Sequence, residues 1–186
     1  MAQYKKIYKQ TEVSDFERTV ADALYDIQNS ASTIAPVVKK VYFTAAREIE
    51  VTGGSKACVM FVPISFLATF QSIQNELSQE FEKKLAGYSL VIIAERRMMK
   101  KPSAGSNAAR PYSRTLTAVH DAILDDVCYP ANIVGKRTHY RATGPTSYSV
   151  ILDANKASVM ESKTNVISSV YKKLTGKDVV VAFGAF

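Results

Sequence analysis

The sequence predicts an α/β (α+β) fold: a single domain with a mixed β-sheet and packed helices, including one strand–long helix–strand unit, plus a basic loop. Three observations carry this reading. Apolar residues switch between a period of two and a period of three to four along the chain, as strands and helices require. A long amphipathic stretch lies between two apolar strand-like runs with short connections, the pattern of a parallel pair joined by a crossover. No internal repeat is legible, and no linker is long enough to split 186 residues into separate domains.

The first dozen residues, 1–12, read as a basic, Tyr-containing arm with Tyr4, Lys5, Lys6, Tyr8 and Lys9; residues 13–186 form the domain. Ser14 and Glu17 stand at capping-box spacing. Phe16, Val20, Leu24 and Ile27 then fall on one helical face, closed by Asn29 and Ser30. From Val41 the period becomes two: Val41, Phe43, Ala45, Ile49 and Val51 alternate with Tyr42, Thr44, Glu48 and Glu50, as in a half-exposed strand. Arg47 interrupts the apolar face and marks an edge or an end. Gly53-Gly54 supplies a turn into Ala57–Val62, apolar on both faces, and the pair reads as a hairpin.

Pro63 opens the long helix, with Phe66, Phe70, Ile73, Leu77, Phe81 and Leu85 in one stripe. Glu80 and Lys84 are spaced for a side-chain pair, and Gly87 suits a left-handed helix end. Tyr88–Ala94 is apolar enough for a central strand. Beyond the basic loop, Ser113 or Thr115 caps a helix with the face Leu116, Val119, Ile123 and Val127, stopped by Tyr129-Pro130. Thr138–Ala142 and Tyr148–Leu152 flank a Gly144-Pro145 turn as a second hairpin, with Arg137, His139 and Arg141 making one face cationic. Val166 or Ile167, Val170 and Leu174 form a last helix ending at Gly176, before a strand over Val179–Phe183.

The charge is unevenly placed. Between Arg96 and His120 there are six Lys or Arg residues and no Asp or Glu, against a net charge of +7 for the whole chain. The middle of this segment is Ser, Gly, Asn, Ala and Pro, which build no core. A cationic loop (96–114) held by rigid elements at both ends suits a phosphate backbone; the plain alternative is a solvated surface loop. A pI near 9.3 likewise favours an anionic partner. Clustered catalytic or metal-ligating residues are not found. His120 and His139 are the only histidines, Cys58 and Cys128 lie far apart in apolar runs, and no zinc or iron–sulfur spacing occurs. Gly135-Lys136 and Gly176-Lys177 lack the rest of a phosphate-binding loop and read as a loop turn and a helix cap. His120 is expected on a helix surface or near a phosphate. The chain is expected to need no cofactor and no metal, to meet no small-molecule substrate and no membrane, and to reside in a reducing compartment; no signal peptide is legible.

Five segments then point to a family: TAAREIEV (44–51), KACVMFVP (56–63), FQSIQNELSQEFEKKLAGYSLVIIAERR (70–97), RPYSRTLTAVHDAILDDVCYPANIVGKR (110–137) and VYKKLTGKDVVVAFGAF (170–186). In this order, without a large insertion, they resemble the eukaryotic small-subunit ribosomal protein seven family, which is unrelated to the bacterial protein of that number. The resemblance implies a structural, non-enzymatic component of the small ribosomal subunit, bound to its rRNA, packed against neighbouring ribosomal proteins and needed for subunit assembly and rRNA maturation. It implies residence in cytoplasmic ribosomes, and in the nucleolus during assembly. By position it places Arg96, Arg97, Lys100, Lys101, Arg110 and Arg114 in the family's basic loop and Lys136 and Arg137 in its IVGKR segment, all as rRNA contacts. The chain departs from the family at SAGSNAA (103–109), where relatives carry a longer, more basic loop, and at Tyr112, where a basic residue is usual. Tyr112, between Arg110 and Arg114, is placed to stack on an unpaired base or to lie half-buried as an ordinary surface tyrosine. Two other readings compete: a protein-interaction module outside the ribosome whose basic loop docks on an acidic partner, and a small basic nuclease, which lacks a catalytic cluster.

Overall fold

The computed structural model describes residues 2–4, 6–9, 12–30, 33–105, 107–144 and 146–184. Lys5 of the basic arm and Pro145 of the second turn lie outside them. The chain begins with a small antiparallel pair, β1 (Ala2–Tyr4) and β2 (Ile7–Lys9). Ile7 is buried and bridges to Phe43. Lys6 is buried too, its Nζ donating to the carbonyls of Val38 at 2.7 Å, Lys39 at 3.1 Å and Val41 at 3.5 Å. These carbonyls close the helix α2 (Ala35–Lys40), where a cation complements the helix dipole. Burial, and then the nearby Lys39, hold the Lys6 amine below its ordinary pKa.

Helix α1 (Asp15–Asn29) starts with the expected capping box: the Ser14 side chain accepts from Glu17 N–H, and the Glu17 carboxylate accepts from Ser14 N–H at 2.9 Å. Strand β3 (Ala45–Glu50) then pairs antiparallel with β4 (Lys56–Pro63) across the Gly53-Gly54 turn. A short 3-10 turn leads into α3 (Leu67–Lys84), which returns the chain to β5 (Tyr88–Glu95), parallel to β4. Phe70, Leu77 and Phe81 of the α3 stripe are fully buried; each contributes about 1.5–3 kcal/mol of burial free energy.

The second half repeats this plan. Helix α4 (Leu116–Cys128) leads into β6 (Ile133–His139), which pairs antiparallel with β7 (Ser147–Leu152). After the short α5 (Ala157–Met160), helix α6 (Thr164–Thr175) returns the chain to β8 (Asp178–Phe183), parallel to β7. Helix, hairpin, helix, parallel strand is thus executed twice, giving two three-stranded sheets of order β3-β4-β5 and β6-β7-β8. Two cores follow. One joins α1 and α3 to the first sheet through residues such as Val20, Ile27, Cys58, Met60 and Ile92. The other collects the opposite face of that sheet (Val59, Val91, Ile93), α4 and α6 (Leu124, Val170) and the inner face of the second sheet (Val150, Leu152). The layers run helix, sheet, helix, sheet, and the shared second core makes one domain.

Several expectations are corrected. Leu90–Ala94 is buried, yet β5 ends its sheet and β4 is the middle strand. Strand β3 starts only at Ala45; it is half-exposed as expected, with Glu48 and Glu50 in solvent, while Ala46 on one face and Ile49 on the other engage the two cores. Glu80 pairs with Lys83 at 2.7 Å, one helical turn away on the three-residue spacing, instead of Lys84. Leu116 is exposed at the first turn of α4, while Leu124 takes a core place. The IVGKR segment lies within β6, with an irregularity between Ile133 and Gly135, so Gly135-Lys136 is no loop turn; Arg141 lies beyond the strand. His120 is buried, neither a surface nor a phosphate-facing residue, and burial, then Lys177, lower its pKa. Gly176 does cap α6 in the left-handed region, with φ of +73°. Cys58 and Cys128 are buried free thiols whose pKa burial pushes up to about 12, which leaves them inert.

Candidate nucleic-acid interface

The basic segment turns out to be the connection between the two halves. It leaves the end of β5 and returns at the start of α4, and its neck is closed where Met99 N–H donates to the Arg114 carbonyl at 3.0 Å. A compact loop with its ends drawn together projects its middle into solvent. On the return side Tyr112–Arg114 forms a 3-10 turn, and the Thr115 hydroxyl caps α4 by accepting from Ala118 N–H at 3.4 Å.

The predicted site residues divide by what they touch. Arg96 is committed inside the protein. Its guanidinium makes a two-pronged pair with the Asp126 carboxylate of α4, Nη1 to Oδ2 and Nη2 to Oδ1, the latter at 3.1 Å. Side-chain exposure is 15% for Arg96 and 5% for Asp126, so the pair is largely out of water. The same carboxylate accepts from Ala94 N–H at 3.0 Å. Lys136 is also engaged, its amine meeting Asp121 of α4 at 3.1 Å. Arg96 fastens the neck to α4, whereas the Lys136 pair lies in solvent and holds β6 only weakly.

Arg97, Lys100, Lys101 and Arg114 are exposed around the neck and loop. The Arg114 guanidinium lies 4.0 Å from the Met99 sulfur. Arg110 is half-buried, with its Nε enclosed and without a hydrogen-bond partner. Tyr112 is 77% exposed, which answers the half-buried alternative: its ring faces solvent between two arginines. Arg137 is exposed on the outer face of the second sheet, in register with Ser149 and Val180, away from the loop cluster.

Residues outside the loop cluster were not singled out as rRNA contacts by the sequence. Arg47, read only as an edge marker, holds its guanidinium carbon 5.5 Å from the centre of the Phe61 ring. Tyr140 and Arg141 are exposed beyond β6, and Tyr140 is 83% exposed. Alternation alone gives no sign of either, because Phe61 reads as core and Tyr140 as an interior residue of a strand over Thr138–Ala142. Among the described residues no group of three or more His, Cys, Asp or Glu is arranged to hold a metal ion. No helix among them is long and apolar enough to cross a membrane.

This geometry can neutralise and clamp an extended anion: fixed ends, exposed guanidinium and ammonium groups, and one solvent-facing aromatic ring. Comparisons with known proteins agree in placing the chain. It is 45% identical to the small ribosomal subunit protein eS7 of Avicennia marina, over 94% of this chain and 92% of the relative. It is 42% identical to the protein of that name from Schizosaccharomyces pombe, over 98% and 96%. With the Drosophila melanogaster protein it shares 44% identity over 91% and 88%. Residues 4–183 match the family described as Ribosomal protein S7e, and the chain belongs to that family.

Proposed function

We propose that the chain is a structural constituent of the small ribosomal subunit, held on rRNA by the connection between its two halves. The observation that carries this reading is the division of labour among the loop cations. Arg96 is neutralised by Asp126 and anchors the neck, while Arg97, Lys100, Lys101, Arg110 and Arg114 have no acidic residue within their segment to neutralise them. Phosphates of folded RNA supply the missing charge, and Arg can hold two phosphate oxygens at once. Tyr112 stacks on an unpaired base beside them, and Arg137 makes a separate contact from the second sheet. Lys136, exposed and only lightly held by Asp121, adds a contact from β6 beside it. The neighbours in the subunit are other ribosomal proteins, and the chain supports assembly of the subunit and maturation of its rRNA, in the nucleolus before its service in cytoplasmic ribosomes.

Five phosphate-facing cations correspond to a log–log salt slope of roughly −3.5 to −4.5 for RNA binding. Replacing Arg97, Lys100 and Lys101 by Ala together is expected to weaken rRNA binding and flatten that slope by about 2 to 3. A folded triple variant with an unchanged slope would remove the loop from the RNA interface.

A further inference from the structure

Beside the neck of the loop, the cover over the first sheet is incomplete. The helices α4 and α6 pack on Val59 and Val91, but at the end of the sheet they leave an open cleft of about 620 Å³. That lies within the roughly 300–1,000 Å³ of sites that take small-molecule ligands. Its walls are apolar: Phe61 and Ile93 from the sheet, Val119 and Ile123 from α4, and Leu174 from α6. Its rim carries the cations Arg47 and Arg97 beside the carboxylate of Glu95, and it runs into the loop through Arg97 and Met98. Arg47 is exposed and lies over the half-buried Phe61 ring.

We infer that this cleft receives a single unpaired nucleotide of the RNA that the adjoining loop grips. The inference rests on the rRNA reading above and adds a site to it. An unpaired base offers a flat apolar surface, which the Phe61 ring, the Arg47 guanidinium and the aliphatic walls complement. Its phosphate lies outside, where Arg97 stands. The continuity of the rim with the loop means that a strand following the loop cations passes the mouth of the cleft. A base splayed from that strand meets the apolar walls beside the Arg47 guanidinium that lies over Phe61.

The test uses the full chain with a short RNA duplex, and the same duplex carrying one bulged adenosine. The bulged RNA is expected to bind about 10-fold more tightly, as one base–aromatic stack provides, and to shift the methyl resonances of Ile93, Ile123 and Leu174. Phe61→Leu should abolish the preference while keeping duplex affinity. Arg47→Gln, at an exposed position outside the core, should reduce the preference without risk to folding. Replacing Arg97, Lys100 and Lys101 should lower affinity for both RNAs. Equal affinity for the two RNAs, or a preference surviving both cleft substitutions, overturns the cleft and leaves the loop reading intact. Failure of either RNA to bind overturns both. The competing occupant is an apolar side chain of a neighbouring protein: methyl shifts with N-acetyl-leucinamide but none with adenosine monophosphate would also overturn the base assignment.

Discussion

The two halves share one plan and use it for opposite ends. Each sheet has a central row led by an arginine: Arg47–Val59–Val91 in the first, Arg137–Ser149–Val180 in the second. In the first half this face is covered by the helices of the second, and Val91 is 8% exposed. In the second half nothing among the described residues covers the face, and Val180 is 61% exposed. The chain marks the difference where the middle strand carries Val59 in one row and Ser149 in the other. Topology therefore does not decide which sheet face is core; the residues on it do. The first half is packed on both faces, and the second presents a surface.

The sharpest way to break this comparison is to place a charge at matched positions. Val91→Asp is expected to destabilise the fold by about 4 kcal/mol or more, because an unpaired carboxylate enters a sealed core. Val180→Asp should stay within about 0.5 kcal/mol. Urea denaturation of both variants decides it, and similar losses would show that the second sheet is covered after all. A smaller contrast concerns the two ion pairs that α4 makes with the connection and with β6. Asp126→Ala leaves Arg96 and the Ala94 N–H without their partner and should cost about 3 kcal/mol. Asp121→Ala breaks only a solvent-exposed pair and should cost less than about 0.5 kcal/mol.

The smallest contrast lies in the helix starts. Burial raises the Glu17 pKa, but the hydrogen bonds from Lys9 and Ser14 and the Lys9 charge outweigh it, so the carboxyl sits below its ordinary value. Its stabilisation is therefore present above the unfolded-state pKa and is lost as pH falls through the folded-state value. Glu17→Gln should remove about 1 kcal/mol at neutral pH and flatten the acid limb of the stability curve. In α4 the cap is the neutral Thr115 hydroxyl, so Thr115→Ala should cost about 1 kcal/mol with no such pH dependence. Parallel acid limbs for the two variants would refute the assignment.

Local chemistry was legible in the sequence. The capping box at Ser14 and Glu17, the α3 stripe, the two-faced β4 and the loop between β5 and α4 each follow from spacings of a few residues. What escaped depends on partners distant in sequence. Arg96 and Asp126 meet across the fold, and nothing in a run of loop cations distinguishes the one that will be buried. Leu116 and Leu124 both fit an apolar helix face, and only the packed sheet selects Leu124. The repeated plan is invisible because topology is set by strand pairing, which different side chains can serve. Lys6 and Lys9 read as parts of a basic, Tyr-containing arm; the first closes α2, and the second meets Glu17 at 2.8 Å.

The Asp126 carboxylate has one more consequence. Strand β5 borders its sheet, and Ala94 N–H is directed to Asp126, not to another strand. The border of a sheet is where a strand of another copy adds, unless its backbone groups are covered or already engaged. By occupying one of the groups an incoming strand would seize, Asp126 makes the unassembled polypeptide a poorer seed for aggregation.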